Sequence, residues 1–129
     1  MDLISYGSIS NDFKVIAQMS KLLKRVKNKE IESHRVDCYP IDTLGTNAKN
    51  EIAKKFRANN LDEPKNMEIF CPSENYPSHV DDGGKSYFIG LENGFFLIEN
   101  VSYPIVPFVL YSFEDSKPHN TDFGAIMIK

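Results

Sequence analysis

Cysteine is nearly missing from this sequence: only Cys38 and Cys71 occur. Two thiols are too few for a disulfide framework, and neither stands at a metal-type spacing from another cysteine. Long apolar runs are lacking too. The longest, Phe95–Ile98 and Ile105–Tyr111 with Pro107 inside it, fall far short of the roughly twenty residues that a membrane-spanning helix requires. The start, Met1-Asp2-Leu3-Ile4-Ser5, has neither a basic n-region nor a long apolar stretch, so no signal peptide and a cytoplasmic location are expected. There is no glycine-rich phosphate loop, no G-x-S-x-G and no Cys/His arrangement close in sequence. Cys71, in Ile69-Phe70-Cys71-Pro72, reads as a small buried hydrophobe rather than a nucleophile.

What is present suits one folded domain spanning 1–129. The 129 residues include 41% hydrophobic and 26% charged side chains, a balance that argues against wholesale disorder. The net charge of −3 conceals an asymmetry: residues 1–59 carry 11 basic and 7 acidic groups, residues 60–129 carry 4 and 11. Without a broad basic surface in the acidic half, no nucleic-acid partner is expected. Lys14, Lys21, Lys24, Arg25, Lys27 and Lys29 form a basic run that reads first as a solvated helix face. Binding of an anionic partner is the alternative.

Residues 10–29 read as an amphipathic helix, with Phe13, Ile16, Met19, Leu22, Leu23 and Val26 at three- and four-residue steps and Ser10, Asn11 or Asp12 as cap. Ile31–Tyr39 looks like a strand ended by Pro40. A second helix fits 47–59, capped by Thr46 or Asn47, with Ile52, Ala53 and Phe56 as its stripe. From Met67 the texture changes. Met67–Cys71, Ser86–Leu91, Phe95–Glu99, Val106–Phe113 and Phe123–Lys129 are short runs rich in β-branched and aromatic residues, separated by turn clusters. Asn93-Gly94 between two of them predicts a hairpin. The expected fold is α+β: a helical part over 1–66 packed on a small antiparallel barrel formed by 67–129.

Three histidines occur, and His34 sits in a polar surface stretch. His79 and Asp81 are two residues apart, so a strand would aim an imidazole and a carboxylate at one spot. His119 lies just ahead of the last expected run, where a closing sheet could bring it alongside. Two histidines and one carboxylate on one face form the ligand set of non-haem iron oxygenases. Asp82 or Asp122 could supply the carboxylate instead, and Asp81-Asp82-Gly83-Gly84 is also good turn chemistry by itself.

The stretch Ser73-Glu74-Asn75-Tyr76-Pro77-Ser78-His79-Val80-Asp81 resembles the H-x-D strand of the Fe(II)/2-oxoglutarate oxygenases. Tyr76 matches an aromatic common three residues before that histidine in the prolyl-hydroxylase-like branch. Lys129, ten residues after His119, matches the basic residue that pairs with the 2-oxoglutarate carboxylate. The resemblance implies a double-stranded β-helix, a metal site of His79, Asp81 and His119, Fe(II) and 2-oxoglutarate as cofactors, and a small-molecule or peptide substrate. The 38 residues from Asp81 to His119 are similar to the interval of small cupins, which share the jelly-roll fold, and Gly90–Phe95, Val106-Pro107-Phe108 and Pro118-His119-Asn120 are loosely cupin-like. Asp81 stands where cupins carry a second histidine, and Lys85 where they carry a glutamate. That resemblance implies a non-catalytic module binding a small molecule, metal or protein.

Overall fold

Helix α1 covers Phe13–Lys27, and Asp12 caps it by accepting the Lys14 N–H at 2.9 Å. Val15, Met19, Leu22, Leu23 and Val26 are its buried residues. Phe13, expected in that stripe, is instead exposed. At roughly 100° per residue it points about 160° away from Val15, off the opposite face. Helix α2, Thr46–Ala58, buries Ala48, Ile52 and Phe56. Its cap is Gly45 rather than Thr46 or Asn47, and no side chain bonds the helix start. Glycine fits there because a Cβ would lie 2.9 Å from the Gln18 side-chain oxygen of α1.

The computed structural model describes residues 2–41, 45–74 and 76–129. Its strands are β1 (Ile4–Ser8), β2 (Cys38–Pro40), β3 (Met67–Phe70), β4 (Lys85–Gly90), β5 (Gly94–Ile98), β6 (Val101–Ile105), β7 (Val109–Glu114), β8 (His119–Thr121) and β9 (Ala125–Ile128). They form two antiparallel sheets: a large one ordered β1-β7-β4-β9-β3-β2 and a small one ordered β6-β5-β8. No helix among the described residues is long and apolar enough to cross a membrane.

Period-two alternation divides the large sheet into two faces. Ile69, Ile89, Leu110, Ile126 and Ile128 meet α1 and α2 in one core, whereas Phe88, Tyr111, Phe113 and Ala125 meet Phe96, Ile98 and Ile105 in the other. The helices therefore cover the outer face, and the small sheet lies against the inner one. Cys38 of β2 and Glu68 and Phe70 of β3 line a cavity of about 570 Å³ together with residues of the small sheet.

Several expectations need correction. The first half is less helical than expected, since β1 and β2 both join the large sheet. β1 was hidden because it is an edge strand, exposed along most of its length and irregular in register near Gly7, which has φ +85°. The strand expected over Ile31–Tyr39 shortens to β2, because the chain turns at Arg35–Cys38 with Asp37 at φ +65°.

Asn93-Gly94 does not close a hairpin. β4 belongs to the large sheet and β5 to the small one, so this segment crosses between layers. Gly94 is needed for close approach: a Cβ would come within 2.5 Å of Asp122 Oδ1 and 2.6 Å of the Phe123 ring. The two-residue hairpin lies one strand later, where Glu99 (φ +49°) and Asn100 (φ +68°) join Ile98 to its partner Val101. That hairpin contains β6, which Pro104 disguised; proline is tolerated because β6 is an edge strand. The run Val106–Phe113 begins as strand only at Val109, after Phe108 at φ +63°.

Candidate metal centre

His79 and His119 are brought together by backbone pairing. The two residues exchange both N–H···O bonds, at 3.0 and 2.9 Å, as an isolated antiparallel bridge. Residues directly opposed in this way place their side chains on the same face of the sheet. His119 lies ahead of the last strand, β9, as the sequence suggested, and itself opens the short strand β8, with Ile98 of β5 as its other neighbour. Asp81, two residues beyond His79, is held by its N–H donating to the Asp115 carbonyl at 2.9 Å. One ligand atom from each of His79, Asp81 and His119 lies within 4.8 Å of the others.

The direction of the imidazoles is as informative as their proximity. His119 Nδ1 lies 2.7 Å from the Lys117 carbonyl and His79 Nδ1 lies 3.2 Å from the Pro77 carbonyl. A carbonyl can only accept, so each Nδ1 carries the proton and each Nε2 of a neutral ring offers a lone pair. Both Nε2 atoms face the same oxygen: Asp81 Oδ2 is 3.2 Å from His119 Nε2 and 3.9 Å from His79 Nε2. Lone pairs turned towards a carboxylate oxygen repel unless a proton or a metal ion sits among them. Backbone carbonyls that fix the tautomer are the usual outer support of metal-ligating histidine. With two imidazole nitrogens, one carboxylate and no thiolate, the donors suit a first-row divalent ion.

The surroundings are graded from dry to wet. His119 is 4% exposed and packs edge-on against Phe113 at 4.8 Å, with Phe96 parallel to it at 6.1 Å; the two phenylalanines also touch each other at 4.7 Å. His79 is half-buried and Asp81 is exposed. Tyr76, which the resemblance implied as a cofactor-binding residue together with Lys129, meets the His79 ring edge-on at 5.1 Å, with its hydroxyl 3.5 Å from His79 Nε2, and Phe70 at 5.0 Å. Its carbonyl accepts from Asn120 Nδ2 at 2.8 Å, tying this loop to β8. Burial, then the nearby Asp81 charge, raises the Tyr76 phenol above its ordinary value.

Lys129 lines the same cavity, but its Nζ lies 2.8 Å from Asp115 Oδ2. No motif marks Asp115, whose side chain is fully buried and also accepts from Ser86 Oγ at 2.7 Å. Burial works to raise the Asp115 carboxyl, but the Lys129 and Ser86 hydrogen bonds outweigh it and hold the group below its usual range. The same bond raises Lys129. Asp122 is committed to the Phe95 N–H at 2.8 Å, and neither it nor Asp82 joins the cluster. His34 is partly exposed, as expected, 3.8 Å from Glu68. Burial pushes the half-buried Cys71 thiol up to about 11, consistent with an unreactive residue.

Compared with models of protein families, with curated proteins and with solved structures, the chain has no match.

Proposed function

We propose that this chain is a mononuclear Fe(II) oxygenase that uses 2-oxoglutarate, built on a double-stranded β-helix. The observation that carries the reading is the convergence of His79 Nε2 and His119 Nε2 on Asp81 Oδ2, with each Nδ1 turned to a backbone carbonyl. The winding of the strands supports it. Counting the His79 bridge as a strand beside β8, the chain from β3 to β9 runs large, small, large, small, small, large, small, large between the sheets. A jelly roll has eight strands distributed over two sheets in this manner.

Two imidazoles and one carboxylate would hold the ion and leave it able to take further ligands from the cavity. Iron held there would supply the redox chemistry with O₂ and a 2-oxo acid by which oxygen enters a substrate C–H bond. The residues of the chain provide the rest. His79, Asp81 and His119 hold the metal, Phe96 and Phe113 keep water from its inner side, and Tyr76 shields His79. Lys129 receives the cosubstrate carboxylate, and Asp115 holds that ammonium in place.

The Lys129–Asp115 pair also favours a second reading, a non-catalytic metal-binding module. A lysine already neutralised at 2.8 Å has less charge to offer a cosubstrate. Anaerobic Fe(II) titration with and without 2-oxoglutarate separates the two readings. The oxygenase should develop the weak visible charge-transfer band of a chelated 2-oxo acid, and Lys129→Ala should weaken 2-oxoglutarate about ten- to a hundredfold while sparing the metal. A protein that binds metal but never 2-oxoglutarate is the binding module, and one that binds neither ends both readings.

A further inference from the structure

The cavity has a second polar feature, away from the metal ligands. Arg35, in the turn before β2, and Glu68, on β3, both line it, and Arg35 Nη2 donates to Glu68 Oε2 at 2.6 Å. The same nitrogen lies 3.0 Å from Cys38 Sγ. Burial first, and then the neighbouring Glu68, push that thiol up to about 11, so it stays neutral and the pair has no third charge at contact distance. The two partners are unequally placed. Glu68 is a fixed wall with 18% of its side chain exposed, whereas Arg35 is an arm at the mouth with 62% exposed. Capacity remains on both. Arg35 uses one nitrogen of its fork, and Glu68 Oε1 lies 3.8 Å from His34 Nε2, too long for a hydrogen bond.

We propose that the Arg35–Glu68 pair is the recognition element for a zwitterionic substrate, a free α-amino acid with an apolar or aromatic side chain. A ligand carboxylate can accept from Arg35 Nη1, which neither Glu68 nor Cys38 engages, and its α-ammonium can donate to Glu68 Oε1. A simple anion would meet the Glu68 charge and a simple cation the Arg35 charge, so the neutral pair selects a ligand carrying both. The side chain would lie along Phe70 and Tyr76, whose ring contacts lead from this end of the cavity to His79. A volume of about 570 Å³ is within the usual range for small-molecule sites, roughly 300–1,000 Å³. The proposal names the substrate class of the oxygenase reading and rests on that reading for what the metal then does. Binding itself does not require it.

Calorimetric titration of wild-type protein, with and without Fe(II) under anaerobic conditions, against each of the twenty common L-amino acids tests this. An apolar or aromatic one, such as L-leucine, should bind. Its N-acetyl derivative, which lacks the ammonium, and its amide, which lacks the carboxylate, should each bind at least tenfold more weakly. Arg35→Ala and Glu68→Gln should each weaken the free amino acid at least tenfold and leave Fe(II) affinity unchanged, while Arg35→Lys restores part of the loss. Amino-acid binding without Fe(II) binding would overturn the metal reading alone. The proposal is overturned if no amino acid binds, if the blocked forms bind as well as the free one, or if both variants bind like wild type.

Discussion

His79→Ala removes one nitrogen from the candidate metal centre while disturbing the fold little, because His79 is half-buried, whereas His119 is buried against Phe96 and Phe113. The effect is best read as metal-linked stability. At a free metal concentration a hundred times its dissociation constant, binding to the folded state stabilises it by about 2.7 kcal/mol. Unfolding entropy near 2.1 cal/mol/K per residue gives a chain of 129 residues roughly 0.27 kcal/mol/K. Wild type should therefore melt about 10 °C higher with metal than without. Losing an outer support of a ligand costs ten- to a hundredfold in affinity, and losing a ligand should cost at least the upper figure. The variant at the same metal concentration would then sit near its dissociation constant, gaining only about 0.4 kcal/mol, or roughly 1.5 °C. Thermal melts followed by circular dichroism, anaerobic for Fe(II) and repeated with Co(II), give both numbers. A wild type whose midpoint ignores metal, or a His79→Ala protein that shifts as far as wild type, would refute the convergence argument.

Two further expectations test the scaffold. Gly94→Ala should destabilise by about 1–3 kcal/mol in a urea unfolding series, because the added methyl meets Asp122 and Phe123 within 2.7 Å while Gly94 needs no positive φ; an unchanged midpoint would mean that the crossing has room to spare. The Asp115 carboxyl is held below its ordinary value, so its contribution is present above about pH 4 and is lost as pH falls through the lower, folded-state value. Asp115→Asn should therefore be less stable than wild type at pH 7 and approach it at pH 3, whereas a gap that stays constant would contradict the ion pair with Lys129.

Local periodicity carries far in this chain. The stripe read from Phe13 to Val26 folds as α1, with Val15 buried in place of the exposed Phe13, and the runs from Met67 onward mark β3, β4, β5, β7 and β9. His79 and Asp81 stood out because their two-residue step would share a strand face; in the structure His79 pairs only as an isolated bridge and Asp81 lies beyond any strand, yet both reach the same spot. The edge strands β1 and β6 were not, because an edge need not bury alternate residues or donate every N–H, so exposed side chains and Pro104 fit there. Asn93-Gly94 misled because an Asn-Gly pair signals a tight reversal without revealing whether the chain returns to the same sheet.

The sequence by itself determined the helical stripes, the strand-rich second half, the lack of any long apolar helix, and three residues whose chemistry suits a metal. Tertiary structure decided everything that depends on partners distant along the chain. It paired His79 with His119 through backbone bonds across 40 residues and turned their Nδ1 atoms onto Pro77 and Lys117, so that both Nε2 atoms face Asp81. It also set Asp115 against Lys129 and Arg35 against Glu68. Periodicity reports which face of an element is apolar, because burial selects it residue by residue. The partner of a polar side chain is chosen by sheet order and register, which no short stretch of sequence contains.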